Sequence, residues 1–325
     1  MRGGSAKMTN TAKQDCYDVI IIGSGLSGVT AARYLTSKGK DCLILDKGRR
    51  IGGRCSTKRK DGMTFNHGAQ FFTAKHEEFI EVVDKALQHN AISEWDFGHH
   101  NKAFIGAPTM RDFIAYLAKE LDVRQEVKIT SLHKDGDVYQ LCDEQGERYF
   151  AHHVIVTIPA PQAADLLKDT HPELADTART ASYDPCWTVM LGLDEACDVM
   201  PKPLRDKGDV GWAAYEPARI AGGIYQPAIT IQATPEASRK MLDWQAEEVI
   251  EAMSQSLFEA VGRPLPIRLS LAHRWLYARV AVSADNNLPF ISDDGKIVLA
   301  GDYFGTARLE TAYLSGQRAA LCLLG

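Results

Sequence analysis

The 325-residue sequence carries no Cys-x-x-Cys pair, no second glycine-rich phosphate loop, no internal repeat and no low-complexity stretch. Each absence excludes a class of function. The seven cysteines (Cys16, Cys42, Cys55, Cys142, Cys186, Cys197 and Cys322) are odd in number and scattered, which argues against a disulfide framework or a redox dithiol. Reduced thiols in a cytoplasmic protein are the expectation. Apolar runs such as 19–22 and 297–300 have only strand length, so neither a signal peptide nor a membrane span is predicted. A formal net charge of −5 gives no reason to expect nucleic acid or an anionic membrane as a partner. His99-His100 and His152-His153 are adjacent pairs, and adjacent side chains do not converge on one ion. No metal is expected.

What remains is the composition of a globular protein, 45% hydrophobic and 24% charged, long enough for one large or two ordinary domains. Residues 1–7 read as an expression leader, with Met8 as the native start. An apolar, β-branched run at 17–22 predicts a buried parallel strand. It enters Gly23-Ser24-Gly25-Leu26-Ser27-Gly28, after which 29–38 has helical spacing and 41–45 reads as a second strand ending at Asp46. That is the crossover unit of a doubly wound sheet. Amphipathic helices are expected at 74–89 and 110–121, and short strands at 127–132, 138–142 and 153–158. Thr234 and Pro235 open a helix expected to run unbroken to Val261 and to stop at Gly262. Strands at 187–193, 229–233 and 268–277 surround it, and a strand at 296–300 precedes Gly301-Asp302 and a helix over 310–323.

In the glycine turn, Gly23 permits the tight bend, Gly25 admits a pyrophosphate to the backbone, and Gly28 lets helix pack on strand. The helix that follows would turn its positive end to the phosphates, with Leu26 and Ser27 of the turn as further cofactor contacts. Asp46 falls eighteen residues after Gly28, where a carboxylate accepts from ribose hydroxyls. Next come Lys47, Arg49, Gly52, Gly53 and Arg54. This is either a second phosphate clamp, which a nicotinamide dehydrogenase does not need, or a solvated basic loop continuing through Arg50, Lys58, Arg59 and Lys60. At the far end, Gly301-Asp302 followed by Glu310-Thr311-Ala312 would bring a carboxylate to a ribityl chain and a helix N-terminus to a flavin ring. The three features together point to FAD.

On these motifs, with His67-Gly68-Ala69-Gln70-Phe71-Phe72-Thr73, His273 to Ala278, and Gly301-Asp302 through Leu314-Ser315-Gly316, the sequence resembles the amine-oxidase-like flavoproteins and, within them, the renalase family. The resemblance runs from Tyr17 to near the end of the chain. It departs at Asn66, where the family carries aspartate, and at Tyr303-Phe304, where it carries Trp-Cys. The first departure removes a carboxylate expected near the flavin entrance, and the second is expected to alter packing more than chemistry.

The resemblance implies noncovalent FAD held by Gly23, Gly25, Gly28, Asp46, Arg54 and Asp302. It implies Val127 beside the adenine, through the backbone of a middle strand, and Gln70 and Phe71 near the reactive ring. The implied substrates are misreduced 2- and 6-dihydro isomers of NAD(P)H, oxidised to NAD(P)+ with dioxygen reduced to hydrogen peroxide. A flavin amine oxidase, a desaturase, or a non-catalytic flavin-binding protein are the alternatives.

Hydride transfer from a dihydropyridine asks mainly for orientation, so neither nucleophile nor strong base need appear. Trp275 and Tyr277, two apart on a strand, share a face and are either an aromatic wall over the substrate or core aromatics. For Trp187, Trp212 and Tyr215 the core is expected. The fold expectation is an α/β, doubly wound FAD domain formed by 13–73, 105–165 and 288–325. It is interleaved with a smaller α+β substrate domain formed by 74–104 and 166–287.

Overall fold

The computed structural model describes residues 16–198, 200–219 and 226–324, so the expected leader at 1–7 and the start at Met8 lie outside the described residues. Strand β1 (Cys16–Ile22) leads through the glycine turn into helix α1 (Leu26–Ser37) and then β2 (Cys42–Asp46). A hairpin, β3 (Lys58–Lys60) and β4 (Met63–Phe65), turns at Asp61-Gly62. After α2 (Glu77–Gln88) come β5 (Ile92–Glu94), β6 (Phe104–Gly106), α3 (Met110–Leu117) and β7 (Asp122–Gln125). The meander β8 (Ile129–Asp135), β9 (Val138–Asp143) and β10 (Arg148–Val156) follows, then helices α4 (Ala160–Leu167) and α5 (Pro172–Arg179).

The second half opens with β11 (Ser182–Leu193), β12 (Leu204–Lys207), β13 (Val210–Tyr215) and β14 (Ala228–Ala233). Two helices, α6 (Pro235–Lys240) and α7 (Ala246–Val261), lead to the long β15 (Ile267–Val282). Strand β16 (Ile297–Leu299) and helix α8 (Leu309–Cys322) return to the first sheet.

That sheet has seven strands in the order β7-β2-β1-β10-β9-β8, with β16 also paired to β10. β7, β2, β1, β10 and β16 are mutually parallel, and β9 and β8 run antiparallel. Alternate side chains explain why its central strands read as unbroken apolar runs. Val19, Ile21, Ile44, Ile155 and Val298 enter one core with α1, α2, α3 and α8. Ile20, Ile22, Leu43, Leu45, Val154 and Val156 enter another with α4 and α5. Both faces are buried, as parallel sheets require.

The second sheet is antiparallel, β12-β13-β14-β11-β15. Its outer face packs on α6 and α7 through Trp187, Val189, Leu191, Ile229 and Ile231. Its inner face carries Thr188, Met190, Trp212, Thr230 and Gln232 toward the first sheet, since successive residues alternate sides.

Several expectations are corrected. Helix α1 begins at Leu26, directly on the glycine turn, rather than at 29. The helix expected over 234–261 is two helices. Thr234 caps α6, accepting from the Ala237 N–H at 3.1 Å, but the carbonyl of Met241 then takes the Trp187 indole N–H at 2.8 Å. A Gln245/Glu248 capping box starts a new helix, which ends at Gly262 in the left-handed region. Val127 lies between β7 and β8, not within a strand. Residue 165 falls inside α4, and α2 shares the core of α1 and α8.

Candidate functional site

The turn after β1, Asp46 at the end of β2, Thr157 after β10 and Gly301 after β16 all lie at the carboxyl edge of the parallel strands. In a doubly wound sheet that edge is where ligands bind. The three glycines of the turn are required for three different reasons. Gly23 has φ +112°, and an added Cβ would meet Thr157 Oγ1 at 2.6 Å; at Gly28 it would meet the Gly23 carbonyl at 2.0 Å. At Gly25 nothing lies within 4 Å, so that position faces open space. The Thr157 hydroxyl donates to the Ile22 and Gly23 carbonyls and holds the turn from behind. Gly25 stands at the N-cap of helix α1, which has no side-chain cap and no acidic residue in its first turn. Its N-terminus is therefore an anion seat.

Asp46 is fixed before any ligand arrives. Oδ2 accepts from the Ser24 N–H at 2.6 Å and from the Ser24 hydroxyl at 2.8 Å, while Oδ1 accepts from the Gly48 N–H at 2.6 Å. Val127 donates its N–H to the Asp46 carbonyl at 2.9 Å, which seats it on the same rim. Lys47 reaches Gln162 at 3.0 Å, and Arg49 is an exposed side chain 3.9 Å from Glu126.

Arg54 and Asp302 form a bidentate ion pair, Nη1–Oδ2 at 2.8 Å and Nη2–Oδ1 at 2.6 Å. Burial works against the guanidinium's charge, but Asp302 more than offsets it and holds Arg54 above its ordinary value. Arg54 is thus not part of a solvated loop. Gly301 donates its N–H to Ser315 Oγ at 2.9 Å, joining this corner to α8. Glu310, expected to face a flavin, instead accepts the N–H groups of Lys75 and His76 at 2.6 and 2.7 Å. Thr311 Oγ1 lies 3.3 Å from the Thr306 hydroxyl, and Ala312 lines the cleft.

A buried polar cluster sits behind this corner, and sequence reasoning missed most of it. Glu216 accepts from the Asn66 N–H at 3.0 Å, from the Asn66 amide at 2.9 Å, and from Thr230 Oγ1. Arg219 Nε lies 2.8 Å from Glu216 as an ion pair, without hydrogen-bond alignment. Arg219 donates to the Gln70 carbonyl at 2.8 Å and also to Gln70 Oε1, which takes the Trp212 indole N–H at 3.1 Å. Gln70 Nε2 closes on the carbonyls of Asn66 and Gly68. Every polar atom of the Gln70 side chain is therefore engaged, and its part is to hold the 66–71 segment in place. Asn66 is not at an entrance but inside, facing a carboxylate. The only sequence signal for this cluster is an i,i+3 Glu-Arg pair beside an apolar strand.

Phe71 stacks on Trp212 with centroids 5.4 Å apart and meets Phe97 and His99 edge-on at 5.1 and 5.2 Å. Trp212 is thus both core and wall, whereas Trp187 and Tyr215 belong to the outer core. Trp275 donates its indole N–H to the His67 carbonyl at 2.9 Å and stacks on the His67 ring at 5.3 Å, with His273 edge-on at 4.3 Å. Burial, aided by His273 and Lys58, pushes the His67 imidazole down to about 3, so it is neutral. Tyr277 packs on Tyr183 at 5.7 Å.

Two connected cavities result. A cleft of about 650 Å³ runs from Gly25 and Ser27 past Arg54, Gly68 and Asp302 to Phe71, Trp212 and Trp275. A larger groove of about 1310 Å³ runs from Asp46 and Val127 to His67, Trp275 and Tyr277. Nine Lys and Arg residues line this groove (Lys47, Arg49, Arg50, Arg54, Lys58, Arg59, Arg111, Lys128 and Arg274) against two carboxylates, Asp46 and Asp165. The residues fit FAD: open space at Gly25 for a diphosphate, a fixed carboxylate for a ribose, and Asp302 beside an uncapped helix for the ribityl and ring.

Residues 21–86 match the NAD(P)-binding Rossmann-like domain, and residues 89–324 match the family described as flavin containing amine oxidoreductase. All-trans-retinol 13,14-reductase of Danio rerio is 26% identical over 158 residues, covering 46% of this chain and 26% of that protein. Putrescine oxidase of Kocuria rosea is 34% identical over 68 residues, covering 21% and 14% of the two chains. (S)-6-hydroxynicotine oxidase of Paenarthrobacter nicotinovorans is 40% identical over 63 residues, covering 18% and 15%. The matched stretch thus spans about a quarter or less of these relatives' length. A solved structure of a protein assigned as a protoporphyrinogen oxidase from Exiguobacterium sp. 255-15 shares the fold. Its TM-score is 0.75 at 14% identity, over 96% of this chain and all of that one.

Proposed function

The chain belongs to the flavin-containing amine oxidoreductase family, FAD-dependent oxidoreductases, and from that premise we propose that it oxidises dihydronicotinamide dinucleotides in the manner of the renalases. The observation that carries this reading is the charge of the larger groove. Four of the nine cations have carboxylate partners outside the lining (Arg49 with Glu126, Arg54 with Asp302, Arg59 with Asp112 and Lys128 with Glu144). The other five against two lining carboxylates leave three positive charges, more than the two negative charges of an FAD diphosphate. Like charges repel a protonated amine from such a lining, and a second anionic dinucleotide suits it. Size agrees: the two cavities together exceed the roughly 300–1,000 Å³ of one small-molecule site.

When bound, FAD supplies a two-electron acceptor that takes hydride from a dihydropyridine ring and passes both electrons to dioxygen. The chain's own work is orientation. In this reading Phe71, stacked on Trp212, and the Trp275–Tyr277 edge of β15 are the walls that align the substrate ring. Gln70 keeps Phe71 in position, and His67 stays neutral. Gly23, Gly25, Leu26, Ser27, Gly28, Asp46, Gly53, Arg54, Val127, Gly301 and Asp302 hold the cofactor, with Lys47 and Arg49 at its outer rim. The same reading assigns 13–73, 105–165 and 288–325 to FAD binding and the remainder chiefly to substrate. A cytoplasmic setting belongs to this proposal, on the scattered cysteines.

Anaerobic mixing tests it. Rapid bleaching of the bound flavin by 2- or 6-dihydro-NAD(P) is expected, with NAD(P)+ released and peroxide formed on admitting air. Bleaching by primary amines alone would move the protein to the amine oxidases. Bleaching by neither would leave a flavin carrier.

A further inference from the structure

Arg111, on the first turn of α3, is a cation that the FAD seat leaves unused. It is 7% exposed, yet no carboxylate among the described residues forms an ion pair with it. Its one side-chain hydrogen bond among the described residues is from Nη1 to the Thr57 carbonyl at 3.3 Å, although a guanidinium offers five N–H donors. The neighbouring Asp112 is engaged elsewhere, accepting from Thr109 Oγ1 at 2.6 Å and lying 3.9 Å from Arg59. Burial lowers the Arg111 pKa, the positive charges of Arg50 and Arg59 lower it further, and Asp112 offsets this only in part. A buried guanidinium among other cations, opening on a groove, is costly unless an anion completes it.

The loop geometry keeps this cation apart from the glycine turn. Gly52 and Gly53 face opposite ways: a Cβ on Gly52 would meet Arg111 Cγ at 3.2 Å, whereas one on Gly53 would meet Gly25 Cα at 3.3 Å. The 52–57 segment therefore stands between Arg111 and the turn that seats the FAD diphosphate. Arg111 shares its arm of the groove with Arg50, Lys58, Arg59 and His67.

We propose that Arg111, flanked by Arg50 and Arg59, forms a phosphate-binding subsite for the substrate, distinct from the seat of the cofactor's diphosphate. The subsite rests on the dinucleotide reading for the identity of its ligand, and on the unpaired guanidinium for its existence. A bidentate guanidinium–phosphate contact is the chemistry it is shaped for.

Calorimetric titration of the FAD-loaded protein tests this with three probes: inorganic pyrophosphate, NAD+, and nicotinamide riboside, which lacks phosphate. Arg111→Met keeps the packing against Gly52 and removes the charge. It is expected to weaken pyrophosphate and NAD+ by about 10- to 100-fold, to leave riboside binding and FAD content unchanged, and to be partly rescued in Arg111→Lys. Should Arg111→Met fold poorly, Arg50→Gln combined with Arg59→Gln changes only exposed side chains and is expected to weaken the same two probes. Unchanged pyrophosphate affinity in these variants overturns the subsite. Loss of FAD in Arg111→Met with the fold intact also overturns it, by returning the residue to the cofactor. If pyrophosphate binds through Arg111 while the wild-type protein ignores NAD+ and dihydro-NAD(P), the subsite stands and the dinucleotide reading falls.

Discussion

Two residues separate what the sequence makes legible from what only packing reveals. Gly25 is legible: its place in the turn predicts an open approach for phosphate, and nothing lies within 4 Å of where a Cβ would stand. Because that space is open and φ is an ordinary −72°, Gly25→Val is expected to fold with the parent melting temperature and yet emerge without flavin. Absorbance at the flavin band and a thermal melt on one preparation check both halves. A yellow, fully loaded variant would take the turn out of the site. Asn66 is not legible. As a sequence position it is a missing carboxylate; in the fold it is the neutral partner of the buried Glu216, with its own Oδ1 accepting from Met110 N–H at 2.9 Å. Asn66→Asp would set two carboxylates together in a dry interior and is expected to cost about 3 kcal/mol or more at pH 8. The loss should shrink at pH 5, because a new carboxyl with a raised pKa is tolerated where it can stay protonated. Urea unfolding at the two pH values measures the difference, and equal losses would contradict the proximity argument.

At the scale of elements, the glycine unit β1–α1–β2 and the terminal β16–α8 were readable because each couples a period to a punctuating glycine. The small hairpins β3–β4 and β5–β6 were not, since three-residue strands carry no period to detect. The α6–α7 break was hidden because its cause, the Trp187 indole on Met241, comes from a different element. Helix α8 meets α1 through Gly316, where an added Cβ would stand 2.1 Å from the Ser27 carbonyl. Gly316→Ala therefore cannot be absorbed by a side-chain adjustment; the two helices must separate. A loss of about 1–3 kcal/mol is expected, with weaker flavin retention because Ser27 lies in the turn that α8 braces. Chemical denaturation and flavin release on dilution report the two effects, and an unchanged flavin affinity would show that the brace is not coupled to the seat.

At the scale of the whole molecule, a parallel sheet interleaved with an antiparallel one was legible from nucleotide motifs at both ends of the sequence, whereas which helix packs on which face was not, because cores rather than motifs decide it. The acid limb of stability is also a global property. His67 has a folded pKa near 3 against an ordinary 6.5, so the unfolded chain binds the extra proton. Stability is fully present above pH 6.5 and falls as pH drops toward 3, by up to ~1.4 kcal/mol per pH unit for this group. His153, His171 and His273 are shifted down as well, so they add to the same trend. In His67→Phe, which keeps a ring against Trp275, the fall in melting temperature from pH 7 to pH 5 is expected to be shallower; an equal slope would place the titration elsewhere. The α1–α8 contact has one more consequence, in the order of events during synthesis. Helix α1 leaves the ribosome long before its partner α8, and the corner beside their contact joins Arg54 to Asp302 across 248 residues of chain. A nascent chain that has already displayed its glycine turn therefore has no closed seat to offer until Asp302 and α8 have also left the ribosome, and flavin capture waits on both.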